Sequence, residues 1–412
     1  MVFGRAIMLR HTRYCVDLDA VAHNFRQVCS MLVDMPDGSP KGSQAARLAT
    51  VLKADAYGLG AVPVARVLVR EGADMLAVAC LPEALQLRAA CAEVPILIMG
   101  HTPSEYFKHA VQAGITCTIF DLEQARALAS AARSSGTHAL AHIKIDTGMN
   151  RLGLKPESFA PGEAARLLVR MADQPGLSVE GIFTHLALND RESDAAQFER
   201  FSALLDEAAA LGLRFALRHV CDSIGLMRYP EYRMDMVRAG AVLYGAKPLN
   251  TPLSATADIR TPFRLATRIS RVRRITAGEG VGYDYTWRAP DGGALIATLP
   301  VGYADGYKRS LSNVASVLVR GVRAPVVGLI CMDQCVVDVS AVPDVAEGDD
   351  VTLLGGPAGG PPEESIPVLE MASWAGTNRN DVLCSIGRRV PRIYYEAGIV
   401  VTEQDSVPGG SP

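Results

Sequence analysis

From about residue 48 to residue 245, short apolar runs alternate with longer amphipathic stretches rich in alanine, leucine, arginine and glutamate. The apolar runs fall at 48–53, 75–79, 96–99, 115–120, 139–145, 179–184, 216–221 and 234–238, with helical stretches such as 62–71, 83–92 and 123–134 between them. Short buried strands separated by helices predict parallel β/α units. Eight such units match an eight-stranded β/α (TIM-like) barrel, whose reactive residues gather at the C-terminal ends of its strands. The same alternation also allows an open, doubly wound sheet, and the pattern alone leaves both standing.

Beyond residue 259 the texture changes. Val, Thr, Arg and Gly alternate at 265–276, 294–299, 316–322 and 351–354, which predicts a second, mostly β domain. One late amphipathic stretch, 366–374, reads as a helix, and the Gly/Pro-rich stretch 355–364 reads as a loop. The expected organisation is a barrel over 14–259, a β domain over 260–405 with which residues 1–13 pack, and a disordered tail over 406–412.

Composition narrows the class. The 412 residues suffice for two domains, and 49% hydrophobic with 21% charged residues is ordinary for a globular enzyme. A net charge of −3 without a basic run gives no reason to expect nucleic acid or an anionic membrane as partner. The nine cysteines are scattered with no CxxC pair, so neither a zinc site nor a disulfide framework is expected, and a reducing cytoplasm fits. Arg5, Arg10 and Arg13 interrupt the N-terminal stretch, and no apolar run is long enough to span a bilayer.

Several reactive side chains coincide with the predicted strand ends. Lys53 ends the first strand, Lys144 lies near the end of the fifth, and His185 ends the sixth. Asp222 and Ser223 follow the seventh, and Arg238 ends the eighth. In a barrel these ends converge on one mouth. Singly, each has a plainer reading, since a strand-end lysine is usually solvated and a lone histidine is usually structural.

Five segments carry a family resemblance: TVLKADAYGLGAV at 50–62, KIDTGMNRLG at 144–153, VGYADG at 301–306, CMDQ at 331–334 and VPR at 390–392. Their content and order resemble the alanine racemase family, over nearly the whole chain. The resemblance implies a barrel followed by a β domain, and pyridoxal 5'-phosphate joined as an imine to Lys53. It implies a second base, Tyr283, in GVGYDYTW at 280–287, with Tyr285 as the nearby competitor. Racemisation needs proton donors on both faces of a planar centre, and Lys53 would serve the other face. The family's β domain completes the barrel mouth of a second subunit, so a homodimer with composite sites is implied.

Further roles follow from the same resemblance. Tyr57, Ser223 and backbone amides at Gly240 and Ala241 would hold the phosphate. Arg238 would face the pyridine nitrogen with His185 bonded to it. Arg151 would bond the cofactor's phenolic oxygen and the substrate carboxylate. Met332, through its N–H, and Tyr303 would complete the substrate contacts, and Lys144 is the expected site of carbamylation.

Three positions depart from the family pattern. Asp222 stands where asparagine is usual, Arg388 where a tyrosine precedes RVPR, and Leu329 where an arginine is usual. Arg388 could contact the phosphate, bind a substrate carboxylate, or merely replace the charge missing at 329. Asp222 is expected to pair with Arg238 or Arg388. Alanine is the expected substrate, with serine or a broader range as the alternative. A non-catalytic cofactor-binding protein is disfavoured by the presence of Tyr283, Tyr303 and CMDQ. A decarboxylase on the same plan would need a cysteine-bearing loop that has no match here.

Overall fold

The computed structural model describes residues 10–33, 46–91, 93–247, 251, 256–357 and 362–404. The chain divides into two units. One comprises residues 22–56 and 61–259, the other the chain up to Val21, Tyr57–Gly60 and everything from Arg260.

After a first strand, β1 (Arg13–Asp17), the larger unit supplies eight parallel strands. They are β2 (Arg47–Val51), β3 (Met75–Val78), β4 (Ile96–Ile98), β5 (Cys117–Ile119), β6 (Ala139–Lys144), β7 (Leu177–Phe183), β8 (Leu217–His219) and β9 (Met236–Ala239). Each overlaps one of the eight apolar runs. Two arrays, β4-β3-β2-β9 and β5-β6-β7-β8, close on each other. Leu97 bridges Thr116 at one seam. At the other, the Asp235 and Arg238 amides donate to the Arg218 and Cys221 carbonyls, each at 3.0 Å. The result is the eight-stranded β/α barrel, not the open sheet.

β3, β4, β5 and β9 are buried at every position, because helices cover one face and the barrel interior the other. The helices follow the same logic. Leu122–Ser134 begins at Asp121, whose carboxylate accepts the Gln124 N–H, and buries Ala125, Leu128, Ala129 and Ala132 on one stripe. Ala49, Met75, Leu97, Leu217 and Met236 pack together from five different strands. The helix expected at 83–92 runs Leu81–Ala90, and Ala92 lies outside the described residues.

The second unit is mostly β. Its seven-stranded sheet has the order β16-β15-β18-β10-β1-β19-β20. The ranges are β10 (Phe263–Arg268), β15 (Ser316–Val319), β16 (Val322–Pro325), β18 (Asp350–Gly355), β19 (Arg392–Glu396) and β20 (Ile399–Gln404). A three-stranded sheet joins β11 (Arg271–Ile275), β14 (Ala294–Leu299) and β17 (Cys335–Asp338), and β12 (Gly280–Val281) pairs with β13 (Trp287–Arg288). The late helix is Val368–Ala375.

The boundary expected at residue 14 moves. β1 lies inside this sheet, antiparallel to β10 and parallel to β19. Its alternating burial, with Tyr14 and Val16 fully buried, is that of a sheet strand packed on one face. Just before it, the Thr12 hydroxyl meets that of Thr267 at 2.9 Å and donates to the Pro300 carbonyl at 2.7 Å. Residues 1–9, 358–361 of the expected loop, and the expected tail 406–412 lie outside the described residues.

One local feature has no counterpart in the sequence reading. Ala54, Asp55, Ala56 and Tyr57 all have φ between 53° and 55°, a full turn of left-handed helix directly after Lys53. For L-residues this costs roughly 1–2 kcal/mol each. Specific bonds hold it in place: the Glu83 carboxylate accepts the Ala54 N–H at 2.7 Å and the Ala79 N–H at 2.8 Å, and Asp55 accepts the Ala61 N–H at 2.7 Å. At Gly60 (φ +100°) a Cβ would lie 1.8 Å from the Tyr394 hydroxyl, so only glycine fits there.

Candidate active site

The strand ends of the barrel gather basic and neutral nitrogen groups around Arg238. This arginine, at the end of β9, is 3% exposed, yet it makes no ion pair among the described residues. Its Nη1 donates to His219 Nδ1 at 2.7 Å. Its Nη2 donates to the Thr184 and Val220 carbonyls at 2.9 and 2.8 Å, and at longer range, 3.3 Å, to His185 Nδ1.

An arginine only donates, so both imidazoles must accept at Nδ1 and carry their proton on Nε2. His219 Nε2 then donates to His142 Nδ1 at 2.9 Å. Burial, reinforced by the Arg238 charge, pulls His142 down to about 3, His185 to about 2 and His219 well below the ordinary histidine range. Burial lowers Arg238 itself to about 10, which leaves it charged at neutral pH. The guanidinium thus sits among neutral imidazoles and carbonyls. His185 was expected as its partner, but His219 makes the shorter bond, and His219 and His142 received no role from the sequence. Both lie inside apolar runs, 139–145 and 216–221, and that is the one signal the sequence carries for them.

Lys144 ends β6, is 5% exposed, and lies 4.4 Å above the Phe183 ring. Burial, then the charges of Arg238 and Arg151, bring its amine down to about 7. Lys144, Asp146, Met149, Arg151 and His185 line one small depression. The charges of Arg238, Lys144, Arg151 and Lys53 all bear on His185, so cations from three strand ends, those of β2, β6 and β9, surround it. Lys53 itself is exposed.

Ser223, 4% exposed, follows β8 and accepts at Oγ from the Gly240 N–H at 2.9 Å and the Val242 N–H at 3.4 Å. Ala241 lies between these two amides, at the start of a 3₁₀ turn. Amides converging at a turn N-terminus after the last barrel strands suit a phosphate.

Asp222 requires a correction. Its carboxylate accepts the Ile224 and Gly225 N–H groups, both at 2.9 Å, and caps the helix Ser223–Arg228. Among the described residues it forms no ion pair with Arg238 or Arg388. Aspartate and asparagine are equivalent N-caps, which explains why the position accepts either.

The β unit carries the other candidates. Tyr283 and Tyr285 lie in the turn between β12 and β13, 64% and 57% exposed. The Tyr285 ring lies against Gly280, where a Cβ would come within 2.3 Å of it, and the Arg288 guanidinium stands 5.2 Å from its centroid. Asp305 organises Tyr303, Met332 and the turn before Arg388. Its buried carboxylate accepts from Arg10, from Arg389 Nε at 2.7 Å and from the Gly302 N–H at 3.0 Å, while its carbonyl accepts the Gly387 N–H at 2.8 Å. The Tyr303 and Ala304 amides donate to the Cys331 and Met332 carbonyls at 3.1 and 3.0 Å. Arg389 also bonds Asp333 at 2.6 Å. The adjacent Arg388 is exposed and forms no ion pair among the described residues. Leu329 is half-buried, and Tyr57 is buried.

A doubly anionic cofactor with a basic ring nitrogen and a lysine-reactive aldehyde fits the barrel end. It would meet an excess of cations, a buried donor that lacks an anion, converging amides and a strand-end amine. This barrel and site define a pyridoxal-phosphate-dependent enzyme of the barrel type.

Comparison with known proteins names the family. Residues 16–248 match the alanine racemase N-terminal domain, and residues 263–394 the alanine racemase C-terminal domain. An alanine racemase of Desulfovibrio desulfuricans is 44% identical over 384 residues, covering 92% of this chain and 97% of that protein. One from Symbiobacterium thermophilum is 40% identical, covering 94% and 97%. The solved structure of the Clostridium difficile alanine racemase superposes with a TM-score of 0.87 at 33% identity, covering 96% and 99%. The Bacillus anthracis enzyme with bound L-Ala-P gives 0.84 at 29%, covering 97% and 99%. The chain belongs to the alanine racemase family, an isomerase family that depends on pyridoxal phosphate.

Proposed function

We propose that the protein interconverts L- and D-alanine with pyridoxal phosphate, using Lys53 and Tyr283 as bases on opposite faces of the substrate. The observation that carries the reading is the gathering of Lys144, Arg151 and His185 around one depression beside the buried Arg238 guanidinium, at the barrel's strand ends. When bound, the cofactor withdraws electrons from the amino acid's α-carbon and acidifies its hydrogen.

Lys53 holds the cofactor and moves the proton on one face. Ser223, the Gly240 and Ala241 amides, and Tyr57 would hold the phosphate. Arg238 would face the ring nitrogen and, holding its own proton at neutral pH, would leave that nitrogen unprotonated. Arg151 grips the substrate carboxylate, together with Met332 N–H and Tyr303. Lys144, as a carbamate, supplies the negative charge that orients Arg151.

Tyr283 serves the second face from a partner subunit. Large side chains exposed on the β unit, Tyr283, Tyr303 and Met332, support a homodimer in which this surface is covered. Tyr285, whose ring lies against Gly280 and near Arg288, is the poorer candidate for the base. The exposed Arg388 supports a second reading, in which the site admits serine or larger amino acids. We place the reaction in the cytoplasm, in keeping with nine scattered cysteines that offer no CxxC pair. No helix among the described residues is long and apolar enough to cross a membrane.

A chiral assay over alanine, serine, lysine and arginine tests the reaction. Borohydride reduction followed by peptide mass analysis should leave the cofactor on Lys53. Racemisation that persists in Lys53→Ala, or a label on another lysine, would overturn the assignment.

A further inference from the structure

The loop between Lys144 and Leu154 carries Arg151, and its geometry is imposed from inside and outside. At its base the Asp146 N–H donates to the Leu154 carbonyl at 2.8 Å, and the Leu154 N–H to the Lys144 carbonyl at 2.9 Å. Inside, the Asp146 carboxylate, 6% exposed, accepts three backbone N–H groups. Oδ1 takes Gly148 at 3.0 Å and Asn150 at 2.9 Å, and Oδ2 takes Arg151 itself at 2.8 Å. Burial opposes ionisation, but the three N–H bonds and Lys144 outweigh it and hold the carboxyl below its usual range.

From outside, Arg200 of the helix Arg191–Ala210 donates to the Thr147 carbonyl at 2.7 Å and pairs with Glu157 at 3.1 Å. Gly148, at φ +136°, lets that helix approach, for a Cβ there would lie 3.1 Å from Arg200 Nη1. The Thr147 hydroxyl meets that of Thr184 at 2.8 Å, and the Thr184 carbonyl accepts from Arg238. Arg151's backbone and Arg238's guanidinium are therefore tied to one scaffold.

We infer that Asp146 and, through the Thr147 carbonyl, Arg200 are positioning residues that fix Arg151 for the substrate carboxylate. The inference rests on the role given to Arg151 above. A carboxylate can accept all three N–H groups, whereas an asparagine amide offers one oxygen and turns its NH₂ toward a donor, so at least one N–H loses its partner. Arg200 reaches the loop from an outer helix, so its effect on substrate would be indirect.

The test uses holoenzyme and propionate, a carboxylate without the reacting amine, with binding measured by calorimetry and the alanine KM and kcat measured alongside. Asp146→Asn should weaken propionate and raise KM about tenfold, with a smaller change in kcat, and Arg200→Met should act in the same direction. In an Arg151→Ala background the same substitutions should change propionate affinity less than twofold, because residues acting through one group are not additive. Equal losses in both backgrounds, or no loss in either, would overturn the inference and leave Asp146 as general loop support. If Arg151→Ala alone leaves propionate binding unchanged, the role of Arg151 falls instead. Should Asp146→Asn not fold, Arg200→Met in the two backgrounds decides the matter.

Discussion

The buried amine of Lys144 yields a quantitative prediction. Burial and the neighbouring Arg238 and Arg151 bring it from 10.5 to about 7. That difference corresponds to roughly 5 kcal/mol against carrying the proton in this site. At pH 8 about 90% of the amine is neutral, against about 0.3% for an ordinary lysine, so the nucleophilic form is about 300-fold more abundant. Neutral amine adds carbon dioxide through a new N–C bond and releases one N–H proton to solvent, and the resulting carbamate carries a negative charge beside Arg151 and Arg238, where a positive one would repel them. Holoenzyme incubated with ¹³C-bicarbonate at pH 8 should show a single carbamate carbon resonance that is absent from Lys144→Arg, and removal of carbon dioxide should raise the alanine KM. The unmodified site also affects stability. Its folded pKa lies below the unfolded value, so its contribution is complete above about pH 10.5, declines as the pH falls toward about 7, and is fully lost below that. A labelled holoenzyme with no carbamate signal at pH 8, or one whose signal survives in Lys144→Arg, would refute the reasoning.

Other substitutions probe the remaining features. Arg388→Tyr should narrow the substrate range toward alanine, lowering the serine-to-alanine ratio of kcat/KM about tenfold, since small side-chain differences are worth ~1–3 kcal/mol in such pockets; an unchanged ratio in the chiral assay counts against the broader-range reading. Asp222→Asn should leave thermal stability and cofactor affinity nearly unchanged, whereas Asp222→Ala should cost about 1 kcal/mol in denaturant unfolding through loss of the cap. Ala54→Gly, at φ 53°, should be neutral or stabilise by up to about 1 kcal/mol, because relief of left-handed strain exceeds the added freedom of the unfolded chain. A loss of about 1 kcal/mol there, as in an ordinary helix, would show that the turn is not strained.

The sequence made the barrel legible because parallel strands are buried on both faces and leave uninterrupted apolar runs. The reactive strand ends were legible for the same reason, since Lys53, Lys144 and Arg238 stand where those runs stop. Other features depend on contacts that no local pattern encodes. His219 lies two residues from Cys221 in sequence, yet its bonds reach Arg238 and His142, which belong to different strands. Asp222 invited an electrostatic reading beside two arginines, whereas its carboxylate turns to the nearest N–H groups of its own helix. The left-handed turn uses alanine, aspartate and tyrosine, none of which announces a positive φ, and only Gly58 and Gly60 mark the segment. β1 alternates over five residues, too short a signal to say which unit it joins.

The place of β1 sets an order of events during synthesis. It is the first described strand to leave the ribosome, and one of its sheet neighbours, β19, begins 375 positions after the last residue of β1, at Arg392. The barrel strands follow one another along the chain and can pair as they emerge, whereas the seven-stranded sheet must await nearly the whole polypeptide. A chain stalled before Arg392 would leave β1 exposed along the edge that β19 should cover, an open template for aggregation.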